Sequence, residues 1–322
     1  MSITLYTHQS CLEHDTGPGH PESSARLAAV LEALSHPRFA ALQRRTAPQA
    51  TPTQIARVHT EDLIAQVLEE SPAQGWRRLD PDTVMSCASA DAALRAAGAV
   101  CAAVDEVIVG THRRAFCAVR PPGHHATHDT AMGFCLFNSV AVGAAHAIAG
   151  HGLERVAIVD FDVHHGNGTQ DIFWDDARVL YASSHQWPLY PGTGARSETG
   201  AGNIINAPLA PGAGSAEFRA AYESIVLPAV EAFAPQLVMI SAGFDAHRLD
   251  PLANLNLDAD DYAWVTERLV EIADRHAQGR IVSSLEGGYS LTALRESVDA
   301  HVTALFDPGV AHSPSGGGLQ TR

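Results

Sequence analysis

Lysine is absent from all 322 residues of this chain, so its 21 basic side chains are all arginine. Without a side-chain primary amine, Walker-type phosphate loops, Schiff-base catalysis and pyridoxal attachment are excluded. Cysteine is scarce. The five present (Cys11, Cys87, Cys101, Cys117, Cys135) are odd in number, widely spaced and free of a CxxC pair, which argues against a disulfide framework or a zinc knuckle. Cys135 stands apart from the others by following a double histidine closely. Long apolar runs are also missing, since no stretch approaches the ~20 residues needed to cross a bilayer. The start, Met1-Ser-Ile-Thr-Leu-Tyr6, lacks the basic and apolar regions of a signal peptide. A cytoplasmic protein is expected. Positive charge is in deficit, with a net charge of -15 and no basic run, which excludes nucleic acid and anionic membrane as electrostatic partners. Low complexity is confined to Pro308–Arg322, rich in glycine and serine and expected to be a disordered tail. Residues 1–307 remain as a single domain.

What is there is concentrated at the ends of apolar runs. Ile158-Val-Asp-Phe-Asp-Val-His-His-Gly-Asn167 carries Asp160, Asp162 and His164 at alternate positions, which places them on one side of an extended segment. Carboxylate and neutral imidazole are the usual ligands of a divalent ion such as zinc, and a catalytic site keeps one position open. A single Asp or His at a strand end needs no such reading, because a charged strand end meeting solvent explains it. Two further segments of the same kind tip the balance towards a metal site: Pro121-Pro122-Gly123-His124-His125 and Ser241-Ala-Gly-Phe-Asp245-Ala-His247.

Strand-length apolar runs recur at 2–6, 115–119, 156–160, 179–183, 237–241 and 281–285. Segments with helical period lie between most of them, at 21–34, 89–109, 138–149, 215–233 (bent or broken near Pro228), 260–276 and 291–306. This alternation predicts an α/β fold with a single central, mainly parallel β-sheet and helices on both faces. Ligands of such sheets bind beyond the carboxyl ends of the strands. His124/His125, Asp162/His164, Asp245 and Glu286-Gly-Gly-Tyr289 each follow a different strand, so all four groups are predicted on one rim. The glycine-rich 191–203 stretch lacks GxGxxG and a following helix, and reads as a loop at the pocket mouth.

Together, the segments from Arg120 to Ala126, Gly133-Phe134-Cys135, Asp160 to Gln170, Pro191 to Gly194, Ser241 to Pro251 and Leu285 to Tyr289 resemble the zinc-dependent histone deacetylase superfamily. That group includes acetylpolyamine amidohydrolases, and the likeness is closest to class II-like bacterial members. It runs from Gly19-His-Pro-Glu22 to Tyr289. The resemblance implies the arginase/deacetylase fold and one catalytic ion, zinc or in the cell ferrous iron, on Asp162, His164 and Asp245. It implies His125 as general base and then acid, His124 as electrostatic helper oriented by Asp160, Asn167 behind His125, and Tyr289 as donor to the oxyanion. Glycines 287 and 288 would let the backbone carry Tyr289 into the site.

The resemblance also implies structural potassium. One ion is expected on Asp160, Asp162, His164, Ser183 and Ser184, and a second around Phe173, Asp176, Val179 and Asn203. Gly133, Phe134 and Tyr190 would line an acyl-lysine tunnel, with Leu252 and Asp82 at its rim. Where class I relatives have an aspartate, Asn167 is neutral and is expected to leave His125 with a lower pKa. Leu252 stands where polyamine-selective relatives carry a glutamate, which favours acyl-lysine as substrate.

Three readings result. The first is a zinc deacetylase of acylated lysine or of a small acylated amine such as an acetylpolyamine. The second is an arginase-type dimanganese ureohydrolase, disfavoured because His165-Gly-Asn167 stands where a further aspartate is needed. The third is a silent acyl-lysine binder. Of the remaining histidines, His20, His128, His185 and His247 are expected to border the site. His8, His14, His36, His59, His112, His146, His151, His276, His301 and His312 are expected to be surface or satisfied core residues rather than ligands. Oligomeric state is left open.

Overall fold

The structure, a computed structural model, describes residues 3–306. The expected tail, 308–322, and His312 lie outside the described residues. Ten strands occur in the order β1 (Thr4–Thr7), β2 (Gln43–Thr46), β3 (Arg77–Arg78), β4 (Val84–Met85), β5 (Arg114–Cys117), β6 (Val156–Asp160), β7 (Val179–Gln186), β8 (Ile204–Leu209), β9 (Leu237–Ala242) and β10 (Ile281–Leu285). β3 and β4 form a short antiparallel pair. The other eight build one sheet, β2-β1-β5-β10-β9-β6-β7-β8, in which every pairing is parallel.

The six expected strands are all present. The apolar pattern did not reveal the short pair β3 and β4, nor β2 and β8, which are the edges of the eight-stranded sheet. Central parallel strands are covered on both faces and read as continuous apolar runs, whereas an edge tolerates polar side chains and proline. β2 is Gln-Arg-Arg-Thr and wholly exposed, and β8 contains Asn206 and Pro208.

Two helix groups cover the sheet. Ser89–Val109 and Ser139–His151 pack together against the central strands, and Ser24–Ala33, Ala259–His276 and Leu291–Phe306 form another packed set. The 215–233 segment is interrupted as expected. It runs as α-helix Ser215–Ala221, a π-turn Tyr222–Val226, then α-helix Leu227–Phe233 with Pro228 in its first turn, where the missing N–H is tolerated. Among the described residues no helix is long and apolar enough to cross a membrane.

Candidate metal centre and active site

The sheet order decides where the chemistry gathers. β5, β10, β9 and β6 are adjacent, and they precede His124/His125, Glu286–Tyr289, Asp245 and Asp162/His164 respectively. Four neighbouring strands therefore deliver their polar ends to a single rim.

Strand β6 stops at Asp160, so the period-two alternation ends there and a loop carries Asp162 and His164 onward. Their partner is Asp245, after β9. His164 Nδ1 lies 3.1 Å from Asp162 Oδ1 and 3.2 Å from Asp245 Oδ2, and one ligand atom from each of the three is within 4.8 Å of the others. All three side chains are buried. Backbone amides fix the carboxylates: Val163 N donates to Asp245 Oδ1 and Gly287 N to Asp162 Oδ2, both at 2.8 Å. A Cβ on Gly287 would stand 2.1 Å from Asp245 Oδ2, and one on Gly243 2.1 Å from Asp162 Oδ2. Only glycine lets the backbone approach this closely. At Gly287 the requirement is thus steric closeness to the cluster, while Gly288 holds a positive φ of 120°.

Burial opposes a charge on His164, yet the hydrogen bonds that Asp162 and Asp245 accept from it raise its pKa to about 10. Asp245 rises to about 7 through burial and the neighbouring charge of Asp162. A positive charge is strongly favoured at this point. Two carboxylates and one imidazole suit a borderline divalent ion.

The two histidines after β5 are held in different states. His124 Nδ1 is 3.0 Å from Asp160 Oδ2, an oxygen that also accepts from Tyr181 Oη at 3.0 Å. Burial works against its proton, but Asp162 and Asp160 raise the pKa of His124 to about 10. His125 Nδ1 is 2.8 Å from Asn167 Oδ1, and an amide oxygen only accepts, so Nδ1 carries the hydrogen and Nε2 the lone pair. Asn167 Nδ2 faces Met132 Sδ at 3.4 Å, which sets the amide the right way round. Burial and the charge of His124 push His125 well below the ordinary imidazole value. The rings are 4.0 Å apart. The two rings are thus biased in opposite directions, protonation being favoured at His124 and disfavoured at His125.

Above the cluster lies a cavity of about 220 Å³ lined by Asp82, His125, Gly133, Phe134, His164, Leu189, Tyr190, Leu252 and Tyr289. Phe134 meets the Tyr289 ring edge-on at 5.9 Å, and Tyr190 meets the His125 ring at 5.2 Å. Gly133 and Phe134 both have positive φ, 57° and 68°, and a Cβ on Gly133 would lie 2.5 Å from His125 Cδ2. For phenylalanine this backbone costs about 1–3 kcal/mol, which is typical of residues at functional sites. Burial raises the Tyr289 phenol well above its usual value, so it remains a donor. At the mouth Asp82 is raised by burial and by Asp80.

A network absent from the sequence reading supports these loops from behind. Arg120 Nη2 donates to Glu22 Oε2 at 2.7 Å, and Arg26 Nη1 to Glu22 Oε1 at 2.9 Å, all fully buried. Arg120 leads into the double-histidine loop. Arg26 Nε donates to Gly288 O at 2.6 Å, and its guanidinium lies 4.9 Å from the Tyr289 ring centroid. Asp250 Oδ2 accepts from Tyr289 N at 2.7 Å while its Oδ1 accepts from Leu252 N at 3.0 Å. Glu286 Oε2 accepts from Gly123 N at 2.6 Å and His124 N at 3.2 Å. Glu22, Arg26, Asp250 and Glu286 owe their place to partners distant in sequence, a signal that motif spacing does not contain.

Other expected residues fall less neatly. The Ser183 hydroxyl bonds to His185 Nδ1 at 2.9 Å and that of Ser184 to Tyr222 Oη at 3.3 Å, near Asp160, which pairs in register with Ser183. Phe173 O, Asp176 O and Val179 O converge, but on Asn203 Nδ2, at 2.8, 3.1 and 2.8 Å. These four residues are the ones expected around a second cation, and they do come together here. Of the four bordering histidines, His20 packs on Phe134 at 4.8 Å. His128 instead bonds to Val58 O. His185 is buried against Gly194 O, and His247 Nδ1 accepts from Leu249 N. His165 turns to Thr193 and Gln170, away from the cluster.

A parallel sheet with its cluster on this rim defines the arginase/deacetylase α/β class. Residues 20–305 match the family model of the histone deacetylase domain, and the chain belongs to that family. The histone deacetylase-like amidohydrolase of Pseudomonas aeruginosa is 40% identical over 311 residues, 89% of this chain and 81% of that protein. A probable deacetylase of Archaeoglobus fulgidus is 40% identical over 298 residues, 90% of this chain and 82% of that one. The crystal structure of the HDA15 HD domain matches with a TM-score of 0.90 at 36% identity, covering 94% of this chain and 88% of that chain.

Proposed function

We propose that this chain is a zinc-dependent deacylase that hydrolyses the amide of an acylated lysine. The observation that carries this reading is the buried Asp162–His164–Asp245 cluster at the floor of a narrow, aromatic-walled cavity. These three residues would hold the ion, zinc or in the cell ferrous iron. When bound it supplies Lewis acidity and an activated water.

The chain's own residues do the rest. His125, with Nδ1 committed to Asn167, takes the water proton at Nε2 and returns it to the leaving amine. His124, kept cationic by Asp160, adds positive potential beside it. Tyr289 donates its phenolic hydrogen to the oxygen that becomes negative in the tetrahedral intermediate. Phe134 and Tyr190 flank a methylene stem, Gly133 lets it pass close to His125, and Leu252 and Asp82 meet what lies outside the tunnel. A structural potassium ion on Asp160, Asp162, His164, Ser183 and Ser184 belongs to this reading.

An acetylpolyamine is the second reading, favoured by the carboxylate of Asp82 at the mouth with Asp80 beside it, whereas Leu189 and Leu252 favour acyl-lysine. A dimanganese site has less support. Among the described residues the cluster holds three ligand groups, and Asn167 is committed to His125. The test is a competitive panel of acetyl-lysine peptides, longer acyl-lysine peptides and acetylpolyamines, each with and without a hydroxamate. Hydroxamate-sensitive release from the lysine peptides first is expected. Preference for polyamines would replace the substrate assignment, and no release from any member would sink the enzyme reading.

A further inference from the structure

Two histidines with no role in the tunnel meet at the opposite end of the molecule. His146 lies on helix Ser139–His151 and His151 ends it, while Asp105 faces them from helix Ser89–Val109. Both helices run away from the rim, since β5 and β6 begin a few residues after them, at Arg114 and Val156. Their last turns therefore sit at the amino edge of the sheet. His146 Nε2 is 2.8 Å and His151 Nε2 2.7 Å from the same oxygen, Asp105 Oδ1. One ligand atom from each residue lies within 4.8 Å of the other two.

We propose that Asp105, His146 and His151 form a second metal site, taking a borderline divalent transition ion of the Zn2+, Ni2+ or Cu2+ type. Two imidazole nitrogens and one carboxylate oxygen are the donors such ions select. The frame is preorganised, because the two helices pack directly on each other. The imidazoles are 12% and 17% exposed and the carboxylate 49%, which leaves an approach from solvent and open positions for water.

The plainer account is that Asp105 accepts two imidazole N–H bonds and staples two helix ends. Arg57 separates the two. Its Nη1 lies 2.8 Å from His146 Nδ1, and a guanidinium only donates, so Nδ1 holds the lone pair and Nε2 the hydrogen. An ion at Nε2 requires that hydrogen to move to Nδ1 and the exposed Arg57 to swing aside. Arg57 thus opposes the ion by both charge and tautomer. Removing it strengthens a metal site, whereas a simple staple gains no affinity for metal.

The test titrates Zn2+ into protein already carrying one equivalent of its rim ion, near neutral pH, by calorimetry. A second equivalent is expected. It weakens by about 10-fold or more in Asp105→Asn/His151→Gln and tightens in Arg57→Ala. Both variants should keep the wild-type circular dichroism and turnover. No second equivalent in the wild type, undiminished binding in the double variant, or weaker binding in Arg57→Ala would each overturn the proposal.

Discussion

His125 and Asn167 show how one atom sets a chemical role. Because the neutral amide of Asn167 accepts from Nδ1 without adding negative charge, His125 stays unprotonated and its Nε2 stays basic. A carboxylate in that place would favour the imidazolium. Asn167→Asp is therefore predicted to raise the pKa of His125 by about 1 unit, moving the acidic limb of the kcat/KM–pH profile to higher pH. A limb that stays put would show that Asn167 does not tune the base. Tyr289→Phe removes only the phenolic hydrogen, so kcat is expected to fall by about 10²–10³ with KM little changed. A loss confined to KM would assign Tyr289 to substrate binding instead.

At the scale of loops and strands, legibility followed distance along the chain. The double-histidine, Asp-x-His and Glu-Gly-Gly-Tyr segments are local patterns and could be read directly, as could the buried strands between them. Glu22 could not, because its meaning comes from the distant Arg120 and from the reach of its near neighbour Arg26 to Gly288 O, which together tie the double-histidine loop to the loop after β10. The edge strands β2 and β8 were illegible for a different reason: a strand with one free side need not be apolar. Asp105, His146 and His151 come from two helices, with no spacing that marks them. Glu22→Gln leaves two buried guanidinium groups short of a counter-charge and is expected to cost about 3–5 kcal/mol. Denaturant unfolding checks it, and an unchanged midpoint would mean that the network only fills space. Gly287→Ala drives a Cβ into Asp245 and Asp162. Metal content after dialysis should fall sharply, while full retention would mean the loop can retreat without harming the cluster.

For the whole molecule, contiguity of β5, β10, β9 and β6 turns four separate segments into one site, and the same packing has a consequence in acid. Burial depresses His301 to about 3 and His59 to about 4. Their folded values lie below the unfolded value of about 6.5, so the unfolded chain takes up the protons first. Their contribution is intact above that value and is lost as pH falls through the window down to their folded values. At pH 5 each costs the fold about 2 kcal/mol relative to neutral pH. Stability flat between pH 7 and 5 would contradict the neutral burial of these rings.

The most direct test of the account measures acetate release from an acetyl-lysine peptide by fully demetallated protein as Zn2+ is returned one equivalent at a time. Activity is predicted to be absent at the start, to rise in proportion to the first equivalent and then to level off. In Asp245→Asn it should not return at that ratio. Full turnover before any metal is added would contradict the assignment of Asp162, His164 and Asp245 as the ligands of a catalytic ion.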